Sequence, residues 1–323
     1  MTPLACGLWP LASALQGVPS DTFFTEPPHF RWLIILYFFV GGVSGGALLV
    51  SSLLRLFGAP EDRAFIRLGV YLSFIGMVVS AILLILDLGV PLRFWHMLIQ
   101  NNTGAPMFKW WSPMSVGAWG LLVFGFFSGL ATLRVLRDDR RLSWSTLEFL
   151  HRAPISNFSA IGGILGGLFL AGYTGVLLSV SNRPIWADSS WIGLLFLLSG
   201  ISTSVAALLL IARWQGLIVA STEERLQRFD RIALTLELVV LVIFVVSLGS
   251  VARAFFNASG VLLLLGVVGV GILMPLRMER GSASPRENVA TVSILVLFGG
   301  LALRVVVLLG SEQVHVAGAQ VFR

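Results

Sequence analysis

Hydrophobic positions in this chain fall into long, nearly continuous runs, and short polar stretches that carry most of the arginines separate them. A helix that rises 1.5 Å per residue needs about 20 apolar residues to cross a hydrocarbon core of about 30 Å. Eight runs reach this length, at about 31–57, 64–88, 113–136, 158–181, 189–213, 231–249, 258–276 and 290–310. The pattern predicts an all-α polytopic membrane protein of about eight transmembrane helices, arranged as two four-helix bundles.

The segments outside these runs are short. Residues 1–30 lack a basic stretch followed by an apolar stretch and a cleavage site, so we expect a short translocated tail rather than a signal peptide. A second tail is expected at 311–323, after a transmembrane domain at 31–310. No connection is long enough to form a soluble domain, so any catalytic machinery outside the membrane is expected on other subunits.

Composition agrees with a membrane location, since 56% of the residues are hydrophobic and only 12% are charged, against about 25% charged in soluble domains. The basic balance does not indicate nucleic-acid binding, which needs cationic side chains clustered on one accessible face. Here they lie in the loops between the runs. Their distribution therefore indicates topology, because cytoplasmic loops retain Lys and Arg.

Counting alternate loops gives fifteen basic residues on one side and seven on the other. The first set is Arg55, Arg63, Arg67, Arg134, Arg137, Arg140, Arg141, Arg152, Arg213, Arg225, Arg228, Arg231, Arg277, Arg280 and Arg286. The second set is Arg31, Arg93, Lys109, Arg183, Arg253, Arg304 and Arg323. We therefore expect a multi-pass protein of the bacterial cytoplasmic (inner) membrane with both termini outside.

Few residues suit a metal centre. The one cysteine, Cys6, excludes a thiolate cluster for iron and sulfur within this chain. Bis-imidazole ligation of haem needs histidines that face each other inside the bundle. The four histidines, His29, His96, His151 and His315, all lie at predicted helix ends or in loops, so we expect no haem and no iron–sulfur cluster in this chain.

Two glycine-rich segments, GGVSGG at 41–46 and GGILGG at 162–167, lie in the first and fourth runs. Small residues let helix backbones approach closely in lipid, where no hydrophobic effect drives helices together. These segments therefore predict close helix packing and carry no information about function.

Ionisable residues within or beside the apolar runs are Asp87, Glu237 and Arg304, and a charge near the bilayer centre costs about 2.5–3.5 kcal/mol. Asp87 either forms an interfacial ion pair with Arg93 or has a role in proton transfer or ligand binding. Glu237, placed within two turns of the cytoplasmic start of the sixth helix, is expected to face the bundle interior. The stem of Arg304 is expected to reach the outer interface.

Polar and aromatic residues converge on the predicted outer face, from His29, from Arg93 to His96 and from Lys109 to Ser115. Tryptophans at an interface are explained by membrane anchoring, which we expect for Trp32, Trp95, Trp110, Trp111 and Trp186. Tyr173 differs, because its hydroxyl lies within an apolar helix and needs a hydrogen-bond partner. A quinone carbonyl and a neighbouring backbone oxygen would serve equally well.

Four segments resemble the NrfD/PsrC family of membrane subunits: FFVGGVSGGALL at 38–49, LDLGVPLRFWHML at 86–98, KWWSPMSVGAWGL at 109–121 and AGYTGVLLSVSNRPIWADSSWIGLLFLLSG at 171–200. The resemblance implies a subunit that binds menaquinone or ubiquinone. It also implies electron exchange with a ferredoxin-like four-cluster iron–sulfur subunit on the outer face, which serves a catalytic subunit that is often a molybdenum-bis(pterin) enzyme.

Carried over to this sequence, the resemblance implies that His29 and Tyr173 hydrogen-bond the quinone carbonyls, with Asp87 and Arg93 close by. Asp87 would take or deliver the protons of quinol chemistry. A path from the outer site inward through Glu237 would make the reaction electrogenic. These assignments would make the chain a quinone-binding anchor subunit, and the path through Glu237 would add proton translocation.

Two other classes of function fit eight helices with a few buried charges. A secondary transporter is expected to have Gly- or Pro-broken helices in corresponding positions of two halves, and the sequence offers no convincing pair. A purely structural anchor would hold a peripheral enzyme without taking part in electron transfer. Replacement of Tyr173 or Asp87 distinguishes it from the quinone-binding subunit, because an anchor would keep its turnover.

Overall fold

The computed structural model describes residues 32–141, 145–181, 183–217, 219–281 and 288–321. Eight long helical segments follow in order: α1 Trp32–Phe57, α2 Arg63–Asp87, α3 Pro113–Asp138, α4 Ala153–Ser179, α5 Ile192–Trp214, α6 Ala220–Ser247, α7 at 258–281 and α8 Val289–Val321. Short 3-10 helices connect some of them, at Pro60–Asp62, Pro91–Met97, Ser145–His151 and Gly249–Phe255. The described ranges contain no β-strand, and the predicted all-α class is confirmed.

Seven helices in the described ranges are long and apolar enough to cross a membrane: α1 to α5, α7 and α8. Helix α6 is not among these seven, and its first turns carry charged side chains such as Glu223, Glu224, Arg225 and Arg228. Helix α7 is α-helical at Ala258–Val261, π-helical at Leu262–Leu273 and α-helical again at Met274–Gly281. The chain is therefore a multi-pass helical membrane protein.

Two helices extend well beyond the apolar runs that predicted them. Helix α6 begins at Ala220 rather than near 231, so Glu237 lies in its middle and not in its first two turns. Helix α8 continues to Val321, so much of the segment assigned to a C-terminal tail is helical and His315 lies on a helix. Backbone hydrogen bonding continues in polar segments, whereas hydropathy detects only the part of a helix that suits lipid.

The helices form two groups, α1 to α4 and α5 to α8, and α1 and α5 contact each other where the groups meet. In the first bundle, α1 packs against α2 and α4, and α3 packs against α2 and α4. In the second, α5 packs against α6 and α8, and α7 packs against α8. Helix α5 also contacts α1 and α4. The two predicted four-helix bundles are therefore joined by an extensive contact between them.

The glycine-rich segments form close helix contacts, as predicted. A Cβ on Gly45 of α1 would lie 2.9 Å from the carbonyl oxygen of Gly167 in α4. On the neighbouring face, a Cβ on Gly46 would lie 2.6 Å from the carbonyl oxygen of Gly200 in α5. Both separations are too short for a side chain, so α1 lies backbone to backbone against one helix of each bundle.

A buried carboxylate connects the bundles at the end where the loops with fifteen basic residues lie, called the arginine-rich end below. Asp62, which follows α1 in the turn before α2, is 0% exposed. Its Oδ1 accepts hydrogen bonds from Thr222 Oγ1 at 2.5 Å and Arg225 Nη2 at 2.6 Å, both on α6. Its Oδ2 accepts one from the backbone N–H of Ala59 at 2.8 Å. The turn of the first bundle is thereby fastened to the first helical turns of α6.

The expectation that Trp186 anchors the protein at the interface is wrong. Trp186, in the α4–α5 connection, is 0% exposed, and its indole N–H donates to the carbonyl oxygen of Val307 in α8 at 2.8 Å. Its ring joins the hydrophobic core of the second bundle. The other four tryptophans named above, Trp32, Trp95, Trp110 and Trp111, are exposed at helix ends or in connections.

Candidate functional site

The end of the first bundle that the loop charges predict to face outward, called the outer end below, is organised around Tyr173. This side chain lies in the last two turns of α4 and is 8% exposed. Its hydroxyl donates to the carbonyl oxygen of Pro113, the first residue of α3. A Cβ on Gly117, one turn further along α3, would overlap the phenol. A backbone oxygen is therefore the partner of this hydroxyl, one of the two alternatives left open by the sequence.

The segment before α3 folds back over the start of that helix. The Ser115 hydroxyl accepts a hydrogen bond from the backbone N–H of Lys109 at 3.0 Å. The indole N–H of Trp119 donates to the carbonyl oxygen of Met107 at 3.0 Å. These contacts bring the segment at 109–121 against Tyr173, so two of the four motifs that predicted the family meet here.

Three further polar side chains lie toward this end of the bundle. Tyr37 of α1 is buried and lies close enough to Tyr173 for the two phenols to interact. A Cβ on Gly41 would lie 3.6 Å from the Tyr37 ring and 3.7 Å from Ser80 Oγ of α2, so these residues adjoin one another. Within the described residues, Ser80 Oγ and His96 Nε2 are buried without a hydrogen-bond partner.

The other predicted quinone ligands lie at the same end or outside the described residues. Asp87 is the last residue of α2 and is partly buried, and it has an interaction partner. Arg93 is exposed in the turn Pro91–Met97. The ion pairs among described residues include none between Asp87 and Arg93. His29 lies outside the described residues, and the roles assigned to all four ligands, Tyr173 included, stay predictions.

The second bundle encloses a buried arginine. Arg304 of α8 is 0% exposed, so the expectation that it reaches the outer interface is wrong. Its guanidinium donates to the carbonyl oxygen of Phe38 at 3.3 Å, to Ser199 Oγ at 2.9 Å and to the carbonyl oxygen of Gly300 at 2.6 Å. These acceptors hold the side chain within the bundle, where it need not extend to water.

Glu237 is buried in the bundle interior, as predicted. It lies near Ser199, the residue that accepts from Arg304, and it interacts with the charge of that arginine. The two opposite charges therefore lie near the same hydroxyl. Its use in proton transfer stays a prediction.

Two more acidic side chains extend this group toward the arginine-rich end. Asp230 lies about two helical turns before Glu237 on α6, is buried and lies near Ser202 of α5. Glu279 of α7 interacts with Asp230 and lies 3.7 Å from the guanidinium of Arg231. Asp230 and Glu279 line one small cavity of about 10 Å³. The buried charges therefore form a series from Arg304 to Glu279.

Sequence reasoning missed Tyr37, Ser80, Asp230 and Ser199. Tyr37 had the same signal as Tyr173, a hydroxyl inside an apolar run, and the same argument applies to it. Asp230 fell just outside the apolar run taken as the sixth helix. The two serines carry no signal in a single sequence, because serine is common in membrane helices that pack closely.

The family is evident from comparison with known proteins. The sequence model of the family described as "Polysulphide reductase, NrfD" matches residues 21–317. One of the polysulfide reductase chains of Wolinella succinogenes is 26% identical over 312 residues, covering 88% of the present sequence and 94% of that protein. A protein described as an NrfD homolog, from Haemophilus influenzae, is 28% identical over 315 residues, covering 88% and 95%.

A more distant relative, a selenate reductase subunit from Mesobacillus selenatarsenatis, is 22% identical over 215 residues, which cover 57% of the present sequence and 48% of that protein. The family match extends over nearly the whole described sequence, including helices α6 to α8, where the four motifs give no signal. It confirms the resemblance drawn from those motifs. The chain belongs to the polysulphide reductase NrfD family of membrane proteins.

Proposed function

We propose that this chain is the quinone-reactive membrane subunit of a respiratory reductase complex in the bacterial inner membrane. Relatives named as components of polysulfide reductase and of selenate reductase support a place in such a complex. The observation that carries the quinone site is the pair of buried phenols, Tyr37 and Tyr173, in apolar helices at the outer end of the first bundle.

The polar atoms at this end suit a quinone head group, which has two carbonyl acceptors on an apolar ring. Ser80 Oγ and His96 Nε2 are buried and have no hydrogen-bond partner among the described residues, and such groups favour binding of a ligand that pairs with them. In the proposal, the Tyr173 hydroxyl exchanges its bond to the Pro113 carbonyl oxygen for one to a carbonyl of menaquinone or ubiquinone, and His29 binds the other carbonyl. Asp87 and Arg93, at the end of α2 and beyond it, exchange protons with the outer face.

In the proposal, electrons pass between the quinone and another subunit of the complex, since relatives are named as components of multi-chain reductases. We assign this role to a ferredoxin-like four-cluster iron–sulfur subunit docked on the outer face. It serves a catalytic subunit, often a molybdenum-bis(pterin) enzyme, which carries the substrate site. The exposed aromatic surface near the proposed quinone site, including Trp110 and Trp111, supports docking at this end.

The first test replaces Tyr173 with phenylalanine in the assembled complex. Loss of one hydrogen-bond donor to a bound carbonyl is worth about 1–1.5 kcal/mol, so quinol-linked turnover is expected to fall about tenfold. Electron transfer from a soluble dye to the catalytic subunit should be unchanged. The measurement is the ratio of the two activities in membranes that contain equal amounts of complex.

Tyr71 provides the matched control, since it is one of only three tyrosines and its hydroxyl bonds Asp139 at the opposite end of the bundle. Tyr71→Phe should keep the wild-type ratio. Equal ratios in all three proteins would remove Tyr173 from the quinone site and favour a structural anchor.

Proton translocation is a further element of the proposed function, and the buried series from Arg304 through Glu237 and Asp230 to Glu279 supports it. Ionisable groups within membrane helices commonly serve proton transfer, and a cavity of about 10 Å³ beside Asp230 and Glu279 is near the size that holds one water molecule. The series would connect the bundle interior with the arginine-rich end.

Replacing Glu237 with glutamine keeps the shape and removes the titratable group. If protons cross by this series, the number of protons translocated per electron should fall toward zero in proteoliposomes that contain the active complex. Glu224→Gln is the control, because Glu224 lies on the same helix with its side chain 71% exposed. A proton-to-electron ratio that equals the wild-type ratio in the Glu237 variant would contradict proton translocation by this series.

A further inference from the structure

A second feature of the first bundle lies at the end opposite Tyr173. Here α1, α2, α3 and α4 surround a cavity of about 780 Å³. Four arginines line it, Arg55, Arg63, Arg67 and Arg134, together with His151, Asp138 and Asp139. Its volume lies in the range of sites that hold small organic ligands, about 300–1,000 Å³.

The two aspartates in the wall already have partners. Asp139 accepts from Arg67 at 2.8 Å and from the Tyr71 hydroxyl at 3.1 Å. Asp138 lies 2.7 Å from His151 Nε2 and 4.0 Å from Arg134 Nε. The wall therefore holds four guanidinium groups against two carboxylates.

Arg55 and Arg63 carry the positive charge of this wall that no described carboxylate neutralises. Neither forms an ion pair with a carboxylate of the described residues. Arg55 lies in the last turn of α1 and Arg63 is the first residue of α2, so both line the cavity from the region where the two helices join. Two guanidinium groups that line one cavity attract an anion, and guanidinium favours phosphate because its geometry allows paired hydrogen bonds.

The rest of the lining is mixed. Apolar side chains such as Leu54, Ile66, Val70 and Val135 lie beside the hydroxyls of Ser51, Ser52 and Ser159. A free inorganic phosphate needs no apolar wall and fills a small fraction of 780 Å³. An amphiphile with a phosphate group and a glycerol backbone matches both the basic and the apolar lining.

We propose that this cavity binds the phosphate headgroup of an anionic phospholipid, with Arg55 and Arg63 contacting the phosphate. Basic pockets between transmembrane helices on the cytoplasmic side bind such headgroups. The site lies at the arginine-rich end, which the loop charges assign to the cytoplasm. The bound lipid would connect the ends of four helices, and the proposal does not depend on the quinone function.

The test is native mass spectrometry of the detergent-purified full chain, titrated with phosphatidylglycerol and, separately, with phosphatidylcholine. Each arginine near an anionic headgroup contributes about fivefold to binding. The Arg55→Gln/Arg63→Gln variant is therefore expected to bind phosphatidylglycerol about 25-fold more weakly than the wild type. Binding of the zwitterionic lipid should be equal in the two proteins.

Arg140→Gln/Arg141→Gln is the matched control, because it removes the same charge near the same end, from residues that do not line the cavity. It should keep wild-type binding of phosphatidylglycerol. An equal loss in the control would show diffuse attraction and overturn the site. If the first variant unfolds, Arg63→Gln alone serves, since Arg63 is exposed; about a fivefold loss is then expected, and unchanged binding overturns the proposal.

A competition experiment distinguishes a phospholipid from a free phosphate ion as the ligand of this cavity. Inorganic phosphate is added to one sample and sodium chloride, at the same ionic strength, to a reference sample. Phosphate should displace phosphatidylglycerol no better than chloride does. Displacement by phosphate at millimolar concentration would identify a soluble anion as the ligand and overturn the assignment to a lipid.

Discussion

Replacing Arg304 with methionine is expected to destabilise the folded protein by about 3–5 kcal/mol, because the change leaves Glu237 as a buried carboxylate without its opposite charge. Adding Glu237→Gln to the same chain should restore most of this loss, since neither charge of the pair then remains in the bundle interior. Methionine fills the space of the aliphatic stem of Arg304 without adding a charge. The measurement is the thermal unfolding midpoint in one detergent, with folded yield from membranes as a second readout.

Arg228 is the control for a general effect of removing an arginine. It pairs with Glu224 on the surface of α6, and its side chain is 65% exposed. Arg228→Met should therefore change stability by less than about 1 kcal/mol. If the double variant is as unstable as Arg304→Met alone, the stabilising interactions are the bonds from Arg304 to Phe38 and Gly300 rather than the charge of Glu237.

Asp62→Ala is expected to cost about 3 kcal/mol, the second largest effect. The change removes one charge-assisted bond to Arg225 and leaves the Thr222 hydroxyl and the Ala59 N–H without an acceptor in a buried position. Lost bonds to charged groups cost about 1.5–3 kcal/mol, and each unsatisfied buried donor adds to this. Thermal unfolding in detergent measures the total.

The neighbouring acid gives a close comparison. Glu61 is exposed and accepts from the Ser221 hydroxyl at 3.0 Å, on the same helix that Asp62 contacts. Glu61→Ala should cost less than about 1 kcal/mol. Similar losses from Glu61→Ala and Asp62→Ala would mean that the buried network does not hold the turn to α6.

The features of the fold that sequence could predict are those fixed by local composition. Apolar runs determine where lipid can surround a helix, and GGVSGG and GGILGG determine where two backbones can touch. The sequence predicted close packing of these segments without naming their partners, and the structure places Gly45 against Gly167. Tyr173 was found for a related reason, since a phenol in an apolar helix must have a partner.

What sequence could not predict depends on which residues meet in three dimensions. In the sequence, the position of Arg304 suggests a side chain that reaches water. In the structure, Phe38, Ser199 and Gly300 provide hydrogen-bond acceptors for it within the bundle. Trp186 lies in a connection with the composition of an interfacial belt, yet that connection enters the core. The start of α6 was misplaced because a charged helical segment has no apolar signal.

The packing of helix α1 limits how far the two bundles can move relative to each other. Its Gly45 lies against α4 and its Gly46 against α5, at distances that leave no room for a methyl group. Alternating access in transporters requires one bundle to rock against another around a central site, and here such rocking would separate both backbone surfaces at once. These contacts favour a fixed arrangement of the two bundles, which would suit the proposed electron transfer between sites at constant separation and argues against a carrier that opens to each side in turn.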